Sequence, residues 1–285
     1  MNTTHRLRQL MEQRQGILVP GAFNALSARI VADLGFQALY ITGAGVTNMS
    51  LGLPDLAFVG LQELCEHTTR IREAVDLPLI VDADTGFGNA LNTYHSVQRL
   101  ERAGADCIQI EDQLSPKRCG HFQGKEVIAT SEMVAKIQAA CDARRGDTLI
   151  MARTDAAAVN GLPDAIERAQ RYAQAGADVL FIEAPTSADA VRQLPAEVDA
   201  PLLINMVIGG QTPLAQASEL ARMGYALVLY ANAALQGAVA GMQQALGRLK
   251  QEGRLDEDPR WVASFAERQR LVDKSFWDDL EKRYV

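Results

Sequence analysis

A rhythm constrains this chain more than any single residue: short β-branched apolar runs ending in small or polar residues, each followed by an amphipathic stretch. Eight runs are present: GILVPGA (16–22), ALYITGAG (38–45), LPLIVDADTG (77–86), ADCIQIEDQ (105–113), TLIMARTDA (148–156), ADVLFIEAP (177–185), PLLINMV (201–207) and YALVLYAN (225–232). Helical patterns such as ALSARIVADLG, TYHSVQRLERAG and LPDAIERAQRYAQAG lie between them. Near-continuous apolar strands separated by helices predict a parallel sheet covered on its outer face. AGAD, at 103–106 and 175–178, closes a helix with glycine and enters a strand. Eight such units predict an α/β fold, a (β/α)8 TIM barrel. A doubly wound open sheet is the alternative, weakened because no GxGxxG turn follows any early strand.

The 285 residues fit one barrel domain, 1–285. Residues 232–285 exceed one barrel helix and predict a C-terminal helical segment beginning with ALQGAVAGMQQALGRLKQEG. Its Trp261, Phe265, Phe276 and Trp277 either pack back on the barrel or meet another subunit. A net charge of -7 and the lack of a basic patch argue against nucleic acid and acidic membranes as partners. No apolar run approaches the length of a membrane span, and the polar start lacks the apolar segment of a secretory signal. Cys65, Cys107, Cys119 and Cys141 lie far apart with no CxxC pair, as reduced thiols of a cytoplasmic protein do.

Function in such a barrel collects at the C-terminal ends of the strands, and here those ends are polar. Asp82 and Asp84 stand two apart, on one face of a strand, and Glu111 projects from the next strand. Carboxylates converging without cysteine or histidine suit a hard cation, Mg2+ or Mn2+; the plain alternative is that they pair with arginines or cap a helix. Arg153 offers a bidentate clamp for a carboxylate or phosphate, or a salt bridge to Glu183. The backbone of TGAG (42–45) could cradle an anion or form only a tight turn. Asn205 ends the seventh strand. PKRCGHFQGK (116–125) is a loop that sets Cys119 between Lys117 and Arg118 on one side and Gly120 and His121 on the other. His5, His67 and His95 are surface or packing residues, and Cys65, Cys107 and Cys141 are packing thiols.

YITGAG, LGLPD (51–55), VDADTGFGN (81–89), IEDQ, PKRCGH, ARTDA and FIEAP, in this order along residues 16–232, resemble the isocitrate lyase / phosphoenolpyruvate mutase superfamily. The resemblance implies a Mg2+-dependent site at the barrel top. It also implies a homotetramer in which the helix after strand eight is exchanged between subunits. KRCGH is similar to the motif of members that break C–C bonds, with Cys119 as general acid. INMVIGGQTPL (204–214), with Met206, Val207 and Ile208 where other lyases place polar groups, is similar to the 2,3-dimethylmalate lyase and petal-death-protein branch.

The substrate implied is a small dicarboxylate, a 2-alkylmalate such as 2,3-dimethylmalate or 2-methylisocitrate, cleaved by retro-aldol chemistry to an α-keto acid such as pyruvate plus a carboxylic acid. Oxaloacetate hydrolysis and carboxyphosphonoenolpyruvate mutase chemistry are the alternatives on the same scaffold. The implied roles give Asp82 the metal directly and Asp84 and Glu111 its waters. The catalytic set is Cys119, Tyr40, His121, Lys117 and Arg118. Substrate is held by the N–H groups of Thr42, Gly43 and Ala44, with Asp55, Gly120, Arg153, Glu183 and Asn205. Glycines around Cys119 suggest a loop that delivers it once substrate is bound.

Overall fold

The computed structural model describes residues 2–118, 120 and 124–285; Cys119 and His121 therefore lie outside the described residues. Eight parallel strands close in sequence order: β1 (Ile17–Ala22), β2 (Leu39–Ile41), β3 (Leu79–Asp82), β4 (Cys107–Glu111), β5 (Leu149–Thr154), β6 (Val179–Ile182), β7 (Leu202–Asn205) and β8 (Leu227–Tyr230), with β1 paired to β8. This is the expected (β/α)8 barrel, each strand drawn from one of the eight apolar runs.

Alternation along each strand divides the core in two. Leu79, Val81, Ile108, Ile110, Ile150 and Ala152 face outward into the layer beneath the helices. Ile80, Cys107, Leu149, Met151, Val179, Phe181, Leu203, Leu227 and Leu229 face the bore. The helix Thr3–Glu12 closes the bottom of the bore with Leu7 and Met11, both almost wholly buried. Carrying the inward parity upward puts Asp82, Gln109, Glu111, Arg153, Glu183 and Asn205 at the top of the barrel. Register pairs Asp82 with Gln109 and, two residues further along, Glu111 with Arg153.

One run folds differently from its pattern. The apolar stretch 38–45 stops being strand at Ile41, and Gly43–Leu51 is a helix. The Thr42 hydroxyl caps it, accepting from Gly45 N–H at 3.3 Å. Beyond β8 the chain forms helices Ala233–Glu252, Phe265–Leu271 and Lys274–Tyr284. Leu235 is the one buried residue of the first, while Val239, Met242, Leu246 and Leu249 are exposed. Phe265, Phe276 and Trp277 are more than half exposed. No helix among the described residues is long and apolar enough to cross a membrane.

Candidate active site

The top of the bore opens into a cavity lined by Tyr40, Ala44, Asp55, Asp82, Lys117, Arg118, Gly120, Arg153, Glu183 and Asn205 on its polar side. Phe181, Val207, Leu229 and Ala231 form an apolar wall. Of the apolar trio after β7, Val207 reaches the cavity, Met206 is buried in the core and Ile208 is half exposed.

Asp82 anchors one side. Its Oδ1 accepts from Gln109 Nε2 at 3.0 Å and from Asp84 N–H at 3.2 Å, and its Oδ2 from Gly43 N–H at 3.4 Å. Gln109 in turn accepts the Tyr40 hydroxyl at 2.5 Å. Burial, with Asp82 nearby, pushes the Tyr40 phenol well above its usual range. This favours the protonated, donating form, in which Tyr40 fastens Gln109 and, through it, Asp82.

Lys117 sits between Asp55 (2.6 Å) and Asp84 (3.0 Å). Burial opposes its charge, but Asp84, Asp82, Glu111 and Asp55 outweigh burial and push its pKa far up. Asp84 itself is raised to about 7 by burial, against the pull of Lys117. Its backbone stands in the left-handed region at φ 47°, as does Ala184, next to Glu183, at φ 54°. Strain of this kind persists where surrounding structure over-determines it.

Arg153 is held as a fork. Nε and Nη2 donate to the two oxygens of Asp155 at 2.9 and 3.1 Å, Glu111 Oε2 stands 3.3 Å away, and the guanidinium lies over the Phe181 ring at 5.1 Å. Asp155 and Glu111 stand close to Arg153, and both, with Glu183, add to the negative field that outweighs burial and raises the Arg153 pKa far above the usual range. Asp155 also accepts from Lys125 Nζ at 2.8 Å, and Lys125 donates as well to Gly120 O. A Cβ at Gly120 would collide with Arg153 Nη2 and Glu183, so glycine is required there. The stem of the loop is a short antiparallel pairing, with Gln113 opposite Val127, and Gln113 holds both the N–H and the C=O of Arg118.

Thr42, Gly43, Asp84 and Glu111 are not among the residues that line the cavity. The anion cradle expected of Thr42, Gly43 and Ala44 needs correction. Thr42 N–H donates to Ala22 O at 3.2 Å as part of the sheet, and Gly43 N–H is taken by Asp82. Ala44 is the one residue of the three that lines the cavity, and its N–H lies in the first turn of its helix, where no intrahelical acceptor is available.

Among the described residues no three His, Cys, Asp or Glu side chains cluster tightly enough to hold a metal ion alone. The donor set nonetheless fits a hard, heavily hydrated cation. Glu111 Oε1 is buried without a hydrogen bond, and Asp84 Oδ1 meets Lys117 only as an ion pair. Burial, first, and neighbouring acids raise the pKa of Glu111 and Asp84 despite their cationic partners. Mg2+ characteristically binds through one or two carboxylates and keeps several waters.

Gln109, Asp155, Lys125 and Phe181 did not stand out in the sequence. Parity was the available signal, since Gln109, Arg153 and Phe181 share the inward face with Glu111, Asp155 and Glu183 respectively.

The architecture defines a (β/α)8 barrel with a carboxylate-rich site at the C-terminal ends of its strands, where barrels of this class carry their chemistry. The chain belongs to the phosphoenolpyruvate phosphomutase family, which it matches over residues 7–250. It is 45% identical over 247 residues to a 2-methylisocitrate lyase of Aeropyrum pernix, covering 87% of this chain and 80% of the relative. It is 38% identical over 286 residues to the 2,3-dimethylmalate lyase of Eubacterium barkeri, covering 100% and 99%. Among solved structures, oxaloacetate acetylhydrolase in complex with 3,3-difluorooxalacetate superposes with a TM-score of 0.93 at 32% identity, covering 99% of this chain and 97% of that one. Phosphonopyruvate hydrolase in complex with oxalate and Mg2+ superposes with a TM-score of 0.88 at 28% identity, covering 100% and 99%.

Proposed function

We propose that this protein is a Mg2+-dependent carbon–carbon lyase acting on a 2-hydroxy dicarboxylate with a small alkyl substituent. The products are an α-keto acid such as pyruvate and a second carboxylic acid. The observation that carries this reading is the meeting, on one cavity, of the Arg153 fork, the Asp82 carboxylate and the described ends of the KRCGH loop, Lys117, Arg118 and Gly120. Cys119 stands in the sequence between two of these lining residues. The relatives named as lyases support this chemistry, and the phosphonopyruvate hydrolase holding oxalate and Mg2+ supports the cation and a carboxylate ligand.

Arg153 presents its guanidinium to one substrate carboxylate, pre-oriented by Asp155. The N–H of Ala44 and the side chain of Asn205 complete that end. Asp82 would hold the cation directly, with Asp84 and Glu111 on its waters; when bound, the cation polarises the 2-hydroxyl and the adjacent carboxylate. The 2-hydroxyl gives its proton to solvent, its oxygen closes the keto C=O as the C2–C3 bond breaks, and the electron pair of that bond moves onto the second carboxylic acid as an enediolate. Cys119 gives its thiol proton to the enediolate carbon. Lys117, Arg118 and His121 supply positive charge on the loop, which eases that transfer. The wall of Phe181, Val207, Leu229 and Ala231 favours an alkyl group over a third carboxylate.

Incubation with Mg2+ and a panel of 2-methylmalate, 2,3-dimethylmalate, 2-methylisocitrate and oxaloacetate tests this. Pyruvate from a substituted malate is the expected result. Oxalate from oxaloacetate would instead make the protein a hydrolase, and silence across the panel would end the enzymatic reading.

The same reading makes the protein a cytoplasmic homotetramer of one barrel domain, with 232–285 in subunit contacts. Support comes from two apolar surfaces, the row Val239, Met242, Leu246 and Leu249 and a cleft lined by Phe23, Leu26, Ile30, Leu34 and Met49. Burying each against another copy removes it from water. Light scattering should give four times the 31.0 kDa chain mass; a monomer refutes it.

A further inference from the structure

Behind Arg153 lies a buried polar network that the proposed chemistry does not use. Asp112, wholly buried, accepts four hydrogen bonds: Tyr172 OH at 2.8 Å, Thr154 Oγ1 at 2.7 Å, Asp155 N–H at 3.0 Å and Arg168 Nη1 at 3.2 Å. Arg168 and Tyr172 lie one turn apart on the helix Leu162–Gln174. Arg168 also donates to Ile128 O at 2.9 Å and to Asp164 at 2.8 Å. The main chain of Asp112 joins the same pieces. Its N–H donates to Arg153 O at 3.2 Å, and its C=O accepts from Ile128 N–H at 2.9 Å.

The arrangement has a local oddity. Asp155 occupies the N-cap of the short helix Ala156–Val159, where an aspartate ordinarily turns its carboxylate onto the helix's own N–H groups. Asp155 makes no such bond. The N–H of Ala156, the first helical residue, is met by Thr154 Oγ1 at 3.2 Å, and Thr154 is in turn fixed by Asp112. The Asp155 N–H is held by Asp112 as well. Asp112 and Thr154 thus hold the backbone on either side of Asp155, whose two carboxylate oxygens go to the Arg153 fork and Lys125.

We propose that Asp112, Arg168 and Tyr172 are positioning residues for the substrate carboxylate: they hold Asp155 turned inward and so set the angle of the Arg153 guanidinium. The claim rests on Arg153 being the carboxylate clamp of the proposed lyase. Arg168 is essential to it as the cation paired with Asp112, because without it a buried carboxylate loses its counter-charge. A network with a purely structural role would support the fold without setting ligand affinity.

The test is calorimetric affinity for oxalate in the presence of Mg2+, measured beside the thermal unfolding midpoint and turnover. Arg168→Met is expected to weaken oxalate by about 10-fold or more, the scale on which losing an outer-shell partner weakens metal sites. Arg168→Lys should recover much of that loss by restoring the charge, and Tyr172→Phe should weaken oxalate by less than Arg168→Met. A folded Arg168→Met protein with unchanged oxalate affinity overturns the proposal, even where its midpoint falls. Should Arg168→Met fail to fold, the near-isosteric Tyr172→Phe decides, and unchanged affinity there overturns it too. A wild-type protein that binds oxalate yet cleaves none of the acids ends the lyase reading, and the affinity ratios still decide the positioning role. A wild-type protein that does not bind oxalate removes Arg153 as the clamp and the proposal with it.

Discussion

The two ends of the barrel bore are built from the same eight strands and obey opposite rules. At the bottom the polar groups are satisfied. Asp106 accepts from Thr3, Thr4, Arg72 and Leu79 N–H, and Asp178 accepts from Arg8, Arg144 and Ile150 N–H. Leu7, Met11, Val19, Ile80 and Leu227 fill the space between them and the site. At the top, acids crowd one another, Glu111 Oε1 and Asn205 Oδ1 are buried without hydrogen bonds, and Asp84 and Ala184 carry positive φ. A satisfied polar group stabilises the fold, whereas crowded and unpaired ones stabilise it less and leave oxygens free to bind a ligand. The bottom is therefore where stability is expected to reside and the top where chemistry is.

Substitutions at the two ends should separate along that line. Asp82→Ala should lower turnover by about 10³-fold or more, the scale of groups that stabilise developing charge. A chelator should do the same to the wild type, and activity that survives both rules out the metal site. Cys119→Ala should cost about 10²–10³-fold in turnover, as loss of a general acid does, with Mg2+ binding and unfolding temperature unchanged; full turnover would discard the proton-donor role.

At the other end, Leu7→Ala should reduce the unfolding free energy by about 3 kcal/mol, within the range for emptied core sites, with the per-molecule rate of the folded fraction intact. A large loss of rate there would break the division between the ends. On the apolar wall, Val207→Ala should shift preference among substituted malates toward the bulkier alkyl group by about 10-fold, the worth of a methyl-sized change in a pocket. Relative kcat/KM values across the panel check it. Smallest of all, Ala184→Gly should raise the unfolding free energy by about 1 kcal/mol by relieving a left-handed alanine. A fall in stability would mean that the surroundings, not the backbone, set that conformation.

Much of this was legible in the residues. The eight apolar runs named the strands, and the polar strand ends named Asp82, Arg153, Glu183 and Asn205 as neighbours of one site. Parity within a strand also contained Gln109 and Phe181, but a lone glutamine or phenylalanine in an apolar run reads as core until its level in the barrel is known. The end of β2 was misjudged because YITGAG continues the β pattern while the Thr42 hydroxyl, a capping group, starts a helix one residue later. Asp155 read as one polar residue among many, since nothing in ARTDA says whether its carboxylate caps its own helix or turns to Arg153.

The sequence by itself determined the barrel, its strand order and the kind of chemistry at its rim, because periodicity and residue type are local properties written along the chain. Tertiary structure alone decided which acid holds which cation, that the N–H groups of Thr42 and Gly43 are already taken, and that Asp155 turns its carboxylate to Arg153 and its N–H to Asp112. Those outcomes depend on register between strands and on helices 40 to 60 residues away along the chain. A charged group's partner is set by distance and burial in space, which no short stretch of sequence encodes.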